Sequence, residues 1–194
     1  MTCFLVHQRL ISSMQLLTHE SGVAHVKSKY VQYYVEGQDE EKLINVLKTQ
    51  LGLIIPGKVQ RLNVVEQGIN NVRLRALSAG TMVVLVFDTD TGKIDILKKN
   101  IEVLRACKSV TDIVLIPQVP NLEGELVRSC NIRKIEELLK SKSKTEFKSD
   151  LIRVSNLAQK LQEHQFDIRL FWSSKAPAPY QELENQADMV KLLK

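Results

Sequence analysis

The apolar positions change period along the chain, and each change marks a boundary between elements. Tyr30 to Val35 are almost all β-branched or aromatic, a strand pattern that stops at Glu36-Gly37. From Asp39 to Leu51 the apolar residues Leu43, Ile44, Leu47 and Leu51 recur at helical spacing, so a tight turn leads from a strand into an amphipathic helix. Pro56-Gly57 breaks the chain, Val59 to Val65 reads as a second strand, and Asn70 to Leu77 reads as a short helix ended by Gly80. Met82 to Phe87 is an uninterrupted apolar run of the kind buried on both faces of a parallel sheet. Asp88-Thr89-Asp90-Thr91-Gly92 follows it, then a helix with Ile94, Leu97, Ile101 and Leu104 on one face. Asp112 to Ile116 is a fourth strand. Leu122 to Cys130, Ile132 to Leu139 and Leu151 to His164 read as helical, Ser141 to Ser149 as a polar loop, and Ile168 to Trp172 as a last strand before Ser173-Ser174-Lys175.

Strand and helix alternate throughout, which predicts an α/β fold: a Rossmann-like, mainly parallel sheet with helices on both faces. No internal repeat or low-complexity linker divides the chain, so residues 29–194 are expected to form one α/β domain. Residues 1–28 read as an N-terminal extension or peripheral helix. Met1 to Leu17 is moderately apolar, but His7, Gln8 and Arg9 interrupt it and no basic segment precedes it, the wrong pattern for a secretory signal. A start at Met14 in place of Met1 would produce a similar segment.

Composition narrows the class. At 194 residues and 44% hydrophobic, the chain is long enough to bury a core without disulfides or a structural metal. A charged fraction of 25% argues against disorder, and no apolar run approaches the roughly 18 to 20 residues that span a bilayer. No membrane partner is expected. Cys3, Cys107 and Cys130 are odd in number and lack metal spacing, which fits a reducing cytoplasm. The histidines His7, His19, His25 and His164 are scattered and read as surface or peripheral residues.

The net charge of +5 is concentrated locally. Asn131 to Lys160 carries Arg133, Lys134, Lys140, Lys142, Lys144, Lys148, Arg153 and Lys160 against Glu136, Glu137, Glu146 and Asp150. Such a stretch is either a solvated, internally paired surface or a surface that tracks phosphates without reading sequence. Trp172 sits in an apolar pair with Phe171 and reads as core; Tyr30, Tyr33 and Tyr34 read as packed within the sheet; Pro117, Pro120, Pro177 and Pro179 mark strand exits and turns.

Ligands of open α/β sheets lie beyond the carboxyl ends of the strands. The residues there are Glu36-Gly37 after the first strand, Asp88 and Asp90 after the third, Glu123 and Glu125 after the fourth, and Ser173, Ser174 and Lys175 after the last. If the strand persists, Asp88 and Asp90 project from one face, toward Glu36 if the two strands are neighbours. Carboxylates gathered this way repel by about 4 kcal/mol per pair at 4 Å and need a cation or a shared proton. With no His or Cys cluster beside them, the hard cation Mg²⁺ (or Mn²⁺) suits the set.

The stretches YYVEGQDEEKLINVL (33–47) and VVLVFDTDTG (83–92) resemble the two halves of the Toprim domain of bacterial primases, type IA and type II topoisomerases and OLD-family nucleases. The resemblance covers about Lys29 to Ile116, and is to the small standalone proteins of the OLD and RloB-like type. It implies Glu36 as metal ligand or general acid/base, and Asp88 and Asp90 as metal ligands. A later acidic ligand would correspond to Glu123 or Glu125 in NLEGELVR, and a lysine near the site to Lys175. The implied activity is Mg²⁺-dependent hydrolysis of phosphodiester bonds in DNA or RNA, with a role in anti-phage defence, a partner such as an ATPase, and a homodimer. The alternatives are a non-catalytic or partner-activated Mg²⁺- and nucleic-acid-binding Toprim subunit, and a haloacid-dehalogenase-type phosphatase using Asp88 as nucleophile. Against the phosphatase, its motif closes the first strand of the core, whereas here two β-α units precede it. A phospho-receiver-like module would want an acidic pair after the first strand, where this chain has a single Glu followed by Gly.

Overall fold

The structure, a computed structural model, describes residues 28–193; the N-terminal extension and His7, His19, His25 and Cys3 lie outside the described residues. The fold is α/β: four strands form one all-parallel sheet in the order β2-β1-β3-β4, flanked by helices on both faces. β1 (Tyr30–Val35), α1 (Gln38–Thr49), β2 (Lys58–Arg61), α2 (Asn71–Arg75), β3 (Thr81–Asp88), α3 (Asp95–Arg105) and β4 (Val110–Gln118) alternate as the periodicity predicts. Four helices follow: α4 (Leu122–Ser129), α5 (Glu136–Leu139), α6 (Lys144–Arg153) and α7 (Leu157–Glu163).

Side-chain alternation divides the sheet between two cores. Tyr33 and Val35 of β1, Val84 and Val86 of β3, and Val114 and Ile116 of β4 face α1 and the α4–α7 layer. Tyr34, Val83, Leu85, Phe87 and Leu115 face α3, the 62–69 loop and Tyr180. β3 is central and buried on both faces, which is why its sequence is continuously apolar. Within α3, Asn100 is buried and fully satisfied: its amide receives the Ile69 N–H at 2.7 Å and donates to the carbonyls of Val64 and Gln67 at 2.8 Å, tying down the loop after β2.

Beyond β4 the structure departs from the periodicity. Ser141 to Ser149 is not a loop: α6 begins inside it, capped by the Ser143 hydroxyl, which accepts from the Glu146 N–H at 3.1 Å. The single helix expected over Leu151 to His164 is instead the end of α6 and the separate α7. Ile132 to Leu139 is helical only from Glu136. Ile168 to Trp172 is not a strand but a run of turns, with Trp172 at a left-handed φ of 58°. Along β4, Gln186 bonds the Leu115 N–H and carbonyl at 3.0 and 2.9 Å. Trp172 is core, as are Tyr33 and Tyr34, whereas Tyr30 is exposed at the sheet's amino end. Among the described residues no helix is long and apolar enough to cross a membrane.

Candidate functional site

From the central pair of strands the chain winds outward in opposite directions, from β1 to β2 on one side and from β3 to β4 on the other. The crevice at the carboxyl ends of β1 and β3 is therefore the topological switch point, where open α/β sheets bind ligands. Glu36 and Asp88 stand on its two sides.

Each carboxylate is placed by local structure. Glu36 follows the last residue of β1, and Gly37 starts α1. A Cβ at Gly37 would lie 2.6 Å from Asp39 Oδ1 and 2.8 Å from Glu40 Oε2, so a larger residue there would push both carboxylate ends aside. Glu40 folds back to accept the Gly37 N–H at 2.8 Å, and both Asp39 and Glu40 are buried at the helix start. Negative charge is favourable at that end of a helix. β3 ends at Asp88, so the condition under which Asp88 and Asp90 would share a strand face is not met. Thr89 turns its N–H toward the carbonyls of Gln118 and Pro120, at 3.2 and 2.8 Å, leaving Asp88 partly buried and Asp90 exposed. Asp90 Oδ2 accepts from Asn121 Nδ2 at 3.2 Å. Tyr180, which no motif in the sequence singles out, steadies the next turn: its hydroxyl donates to the Lys93 carbonyl at 2.6 Å and lies 3.1 Å from the Thr91 hydroxyl.

The carboxylates act on one another. Burial, reinforced by Glu36, Glu40, Asp90 and Glu123, pushes the Asp88 carboxyl up to about 9. Burial and then Asp90 and Glu66 raise Glu36, against the opposing pull of Lys148. Burial and the adjoining Asp39 raise Glu40. Among the described residues Asp88 Oδ1 is buried with no hydrogen-bond partner.

The remaining candidates separate. Glu123, in the first turn of α4, is within this field and pairs with Lys148 of α6 at 3.3 Å. Glu125, two residues on, is fully buried and otherwise employed: it accepts from the backbone N–H groups of Val119 and Trp172, each at 2.8 Å, and contacts Arg128 at 2.7 Å. Lys175 lies in an irregular segment, lining a cleft with Trp172 and Asn185, past no strand end, and is not among the leading charges on Asp88 or Glu36. The lysine that does act there is Lys148. Burial works against its ammonium, yet Glu123, Asp39 and Glu40 outweigh burial and hold its pKa above the usual lysine value.

No family model, curated protein or solved structure matches the chain. The site's chemistry therefore rests on its own geometry. Its donors are all hard oxygens, and the orphaned Asp88 Oδ1 with its mutually repelling neighbours fits a divalent cation. Among the described residues no group of three His, Cys, Asp or Glu side chains is placed to hold a metal ion by itself. Mg²⁺ does not need one, being bound typically by one or two carboxylates, with waters and substrate phosphates completing the shell.

Against this acidic edge lies a groove of about 950 Å³ between α4 and α6. Its lining combines the apolar Val127, Ile135 and Ile152 with the cations Arg133, Lys134, Lys144 and Lys148. Asn121 and Glu123 connect it to the switch point.

Proposed function

We propose that the protein is a metal-dependent phosphodiesterase, a nuclease acting on DNA or RNA, of the Toprim-like kind that its two motifs resemble. The observation that carries the reading is Asp88: a carboxylate at the switch point, with one buried oxygen unpartnered among the described residues, held away from its ionised state by burial and then by four neighbouring carboxylates. Glu36, Asp88 and Asp90 would hold Mg²⁺ or Mn²⁺, with Glu123 at the border. The cation, when bound, polarises a phosphoryl oxygen and lowers the pKa of a water. The chain's own residues do the rest. Glu36, whose raised pKa keeps it closer to neutrality than a free glutamate, can exchange a proton with the attacking water or the leaving oxygen. Lys148 is paired with Glu123 until a phosphate offers it a second anion. The groove cations Arg133, Lys134 and Lys144 hold the nucleic-acid backbone beside the acidic edge without reading its sequence.

The test is incubation with plasmid, single-stranded DNA and total RNA in Mg²⁺, Mn²⁺ or EDTA, with Glu36→Gln and Asp88→Asn proteins alongside. Cleavage that requires the metal and falls by at least about 100-fold in both variants is expected. Metal binding without cleavage, lost in Asp88→Asn, would point to the partner-activated subunit. Cleavage persisting undiminished in both variants would rule out this site.

A further inference from the structure

β3 and β4 end side by side, and their last residues are register partners: Asp88 opposite Gln118. Partners in adjacent parallel strands project to the same face. The pairs before them, Val84 with Val114 and Val86 with Ile116, face the core beneath α1 and α4, so the next pair on that face is Asp88 and Gln118. Gln118 is 1% exposed, and among the described residues its side-chain oxygen Oε1 is buried with no hydrogen-bond partner, as is Asp88 Oδ1. A buried acceptor without a donor destabilises a fold, and two neighbouring ones do so twice.

Several donors near this strand end are engaged elsewhere, while Arg128 Nη1, in ion-pair contact with Glu125, and Trp172 Nε1 are buried without a hydrogen-bond partner among the described residues. The Thr89 N–H and hydroxyl both point at the Gln118 carbonyl. The Val119 N–H goes to Glu125, the Asn121 amide to Asp90, and Lys148 to Glu123. The two oxygens stand open to a donor or a cation. We propose that Gln118 supplies its Oε1 as a neutral oxygen ligand, beside Asp88, to a divalent cation of the Mg²⁺ or Mn²⁺ class. This rests on the metal reading above and adds to it a residue that neither motif contains. An amide oxygen is a hard donor that brings no further negative charge to a site already crowded with it. A glutamine at the end of the apolar β4 then has a purpose that packing does not provide.

The experiment measures Mg²⁺ and Mn²⁺ binding calorimetrically on EDTA-stripped protein, with melting of each variant in EDTA as the control for folding. Gln118→Met keeps the length and removes the oxygen; Gln118→Glu keeps an oxygen; Asp88→Asn tests the site itself. Gln118→Met is expected to melt at or above wild type in EDTA and to bind the cation at least about tenfold more weakly, since even indirect supports of a bound metal are worth that much. Gln118→Glu is expected to bind as well as wild type or better. Wild-type affinity in Gln118→Met, or loss of binding in Gln118→Glu, overturns the proposal while leaving the metal reading intact, provided Asp88→Asn abolishes binding. A Gln118→Met protein that melts well below wild type in EDTA also overturns it, because the amide would then serve this fold directly. Absence of any cation binding in the wild type overturns both.

Discussion

Asp88 is an acid that the fold prefers neutral. Its folded pKa, pushed up to about 9, lies well above that of the unfolded chain, so the stability tied to its proton is fully present below about pH 4 and is lost as the pH rises toward 9. Burial of Glu36 and Glu40 adds to the same trend. In EDTA, Asp88→Asn is expected to raise the melting temperature at pH 8 by about 5 °C or more, at roughly 2–4 °C per kcal/mol for a chain of this size. The gain should shrink as the pH falls toward 4, and the variant should lose the stabilisation that Mg²⁺ gives the wild type. A melting temperature unchanged at both pH values would mean that Asp88 is not held in a repulsive field. Glu36 and Asp88 were legible in the sequence because each directly follows or ends a strand whose pattern is plain. Tyr180 and Gln118 were not, and Lys148 was legible only as one cation of the Asn131 to Lys160 stretch, since each reaches the edge from a different element.

At the scale of elements, Glu125 shows how one carboxylate can substitute for regular pairing. It holds the N–H of Val119, just past β4, and that of Trp172, in the turn that was expected to be a strand, and Arg128 lies against it. Glu125→Ala is expected to cost about 3 kcal/mol in urea unfolding, because it strands Arg128 and two buried N–H groups, while leaving cation affinity unchanged. A drop in affinity at undiminished stability would instead make Glu125 a ligand. The close approach of α4 to the β4 exit depends on Gly124, where a Cβ would lie 2.6 Å from Pro120 Cδ. The misread segments have a common cause. A short apolar run such as Ile168 to Trp172 cannot be told from a buried turn by its pattern. α6 carries a signature the periodicity overlooked, Ser143 with Glu146 three residues later, the sequence form of a capping box.

On the scale of the molecule, charge is segregated: carboxylates collect at the switch point and cations line the α4–α6 groove next to it. Opposite potentials on adjoining surfaces suit a polyanion that must be held in one place and reach metal in another. Replacing Arg133, Lys134 and Lys144 together by Ala is expected to weaken single-stranded nucleic acid uniformly across sequences. The slope of log K against log salt should become shallower by about 2, at about 0.7 per lost phosphate contact. An unchanged slope would place the binding surface elsewhere. The sequence alone determined the α/β class, the alternation through β4 and the two acidic strand ends, because those depend on periodicities of two and 3.6 residues and on the residues just past each strand. Only the tertiary structure decided that β1 and β3 are neighbours, that Lys148 and not Lys175 meets the carboxylates, that Glu125 is tied into the backbone, and that Gln118 stands beside Asp88. Those relations depend on strand order and register, which bring together residues far apart in the chain and are written in no local pattern.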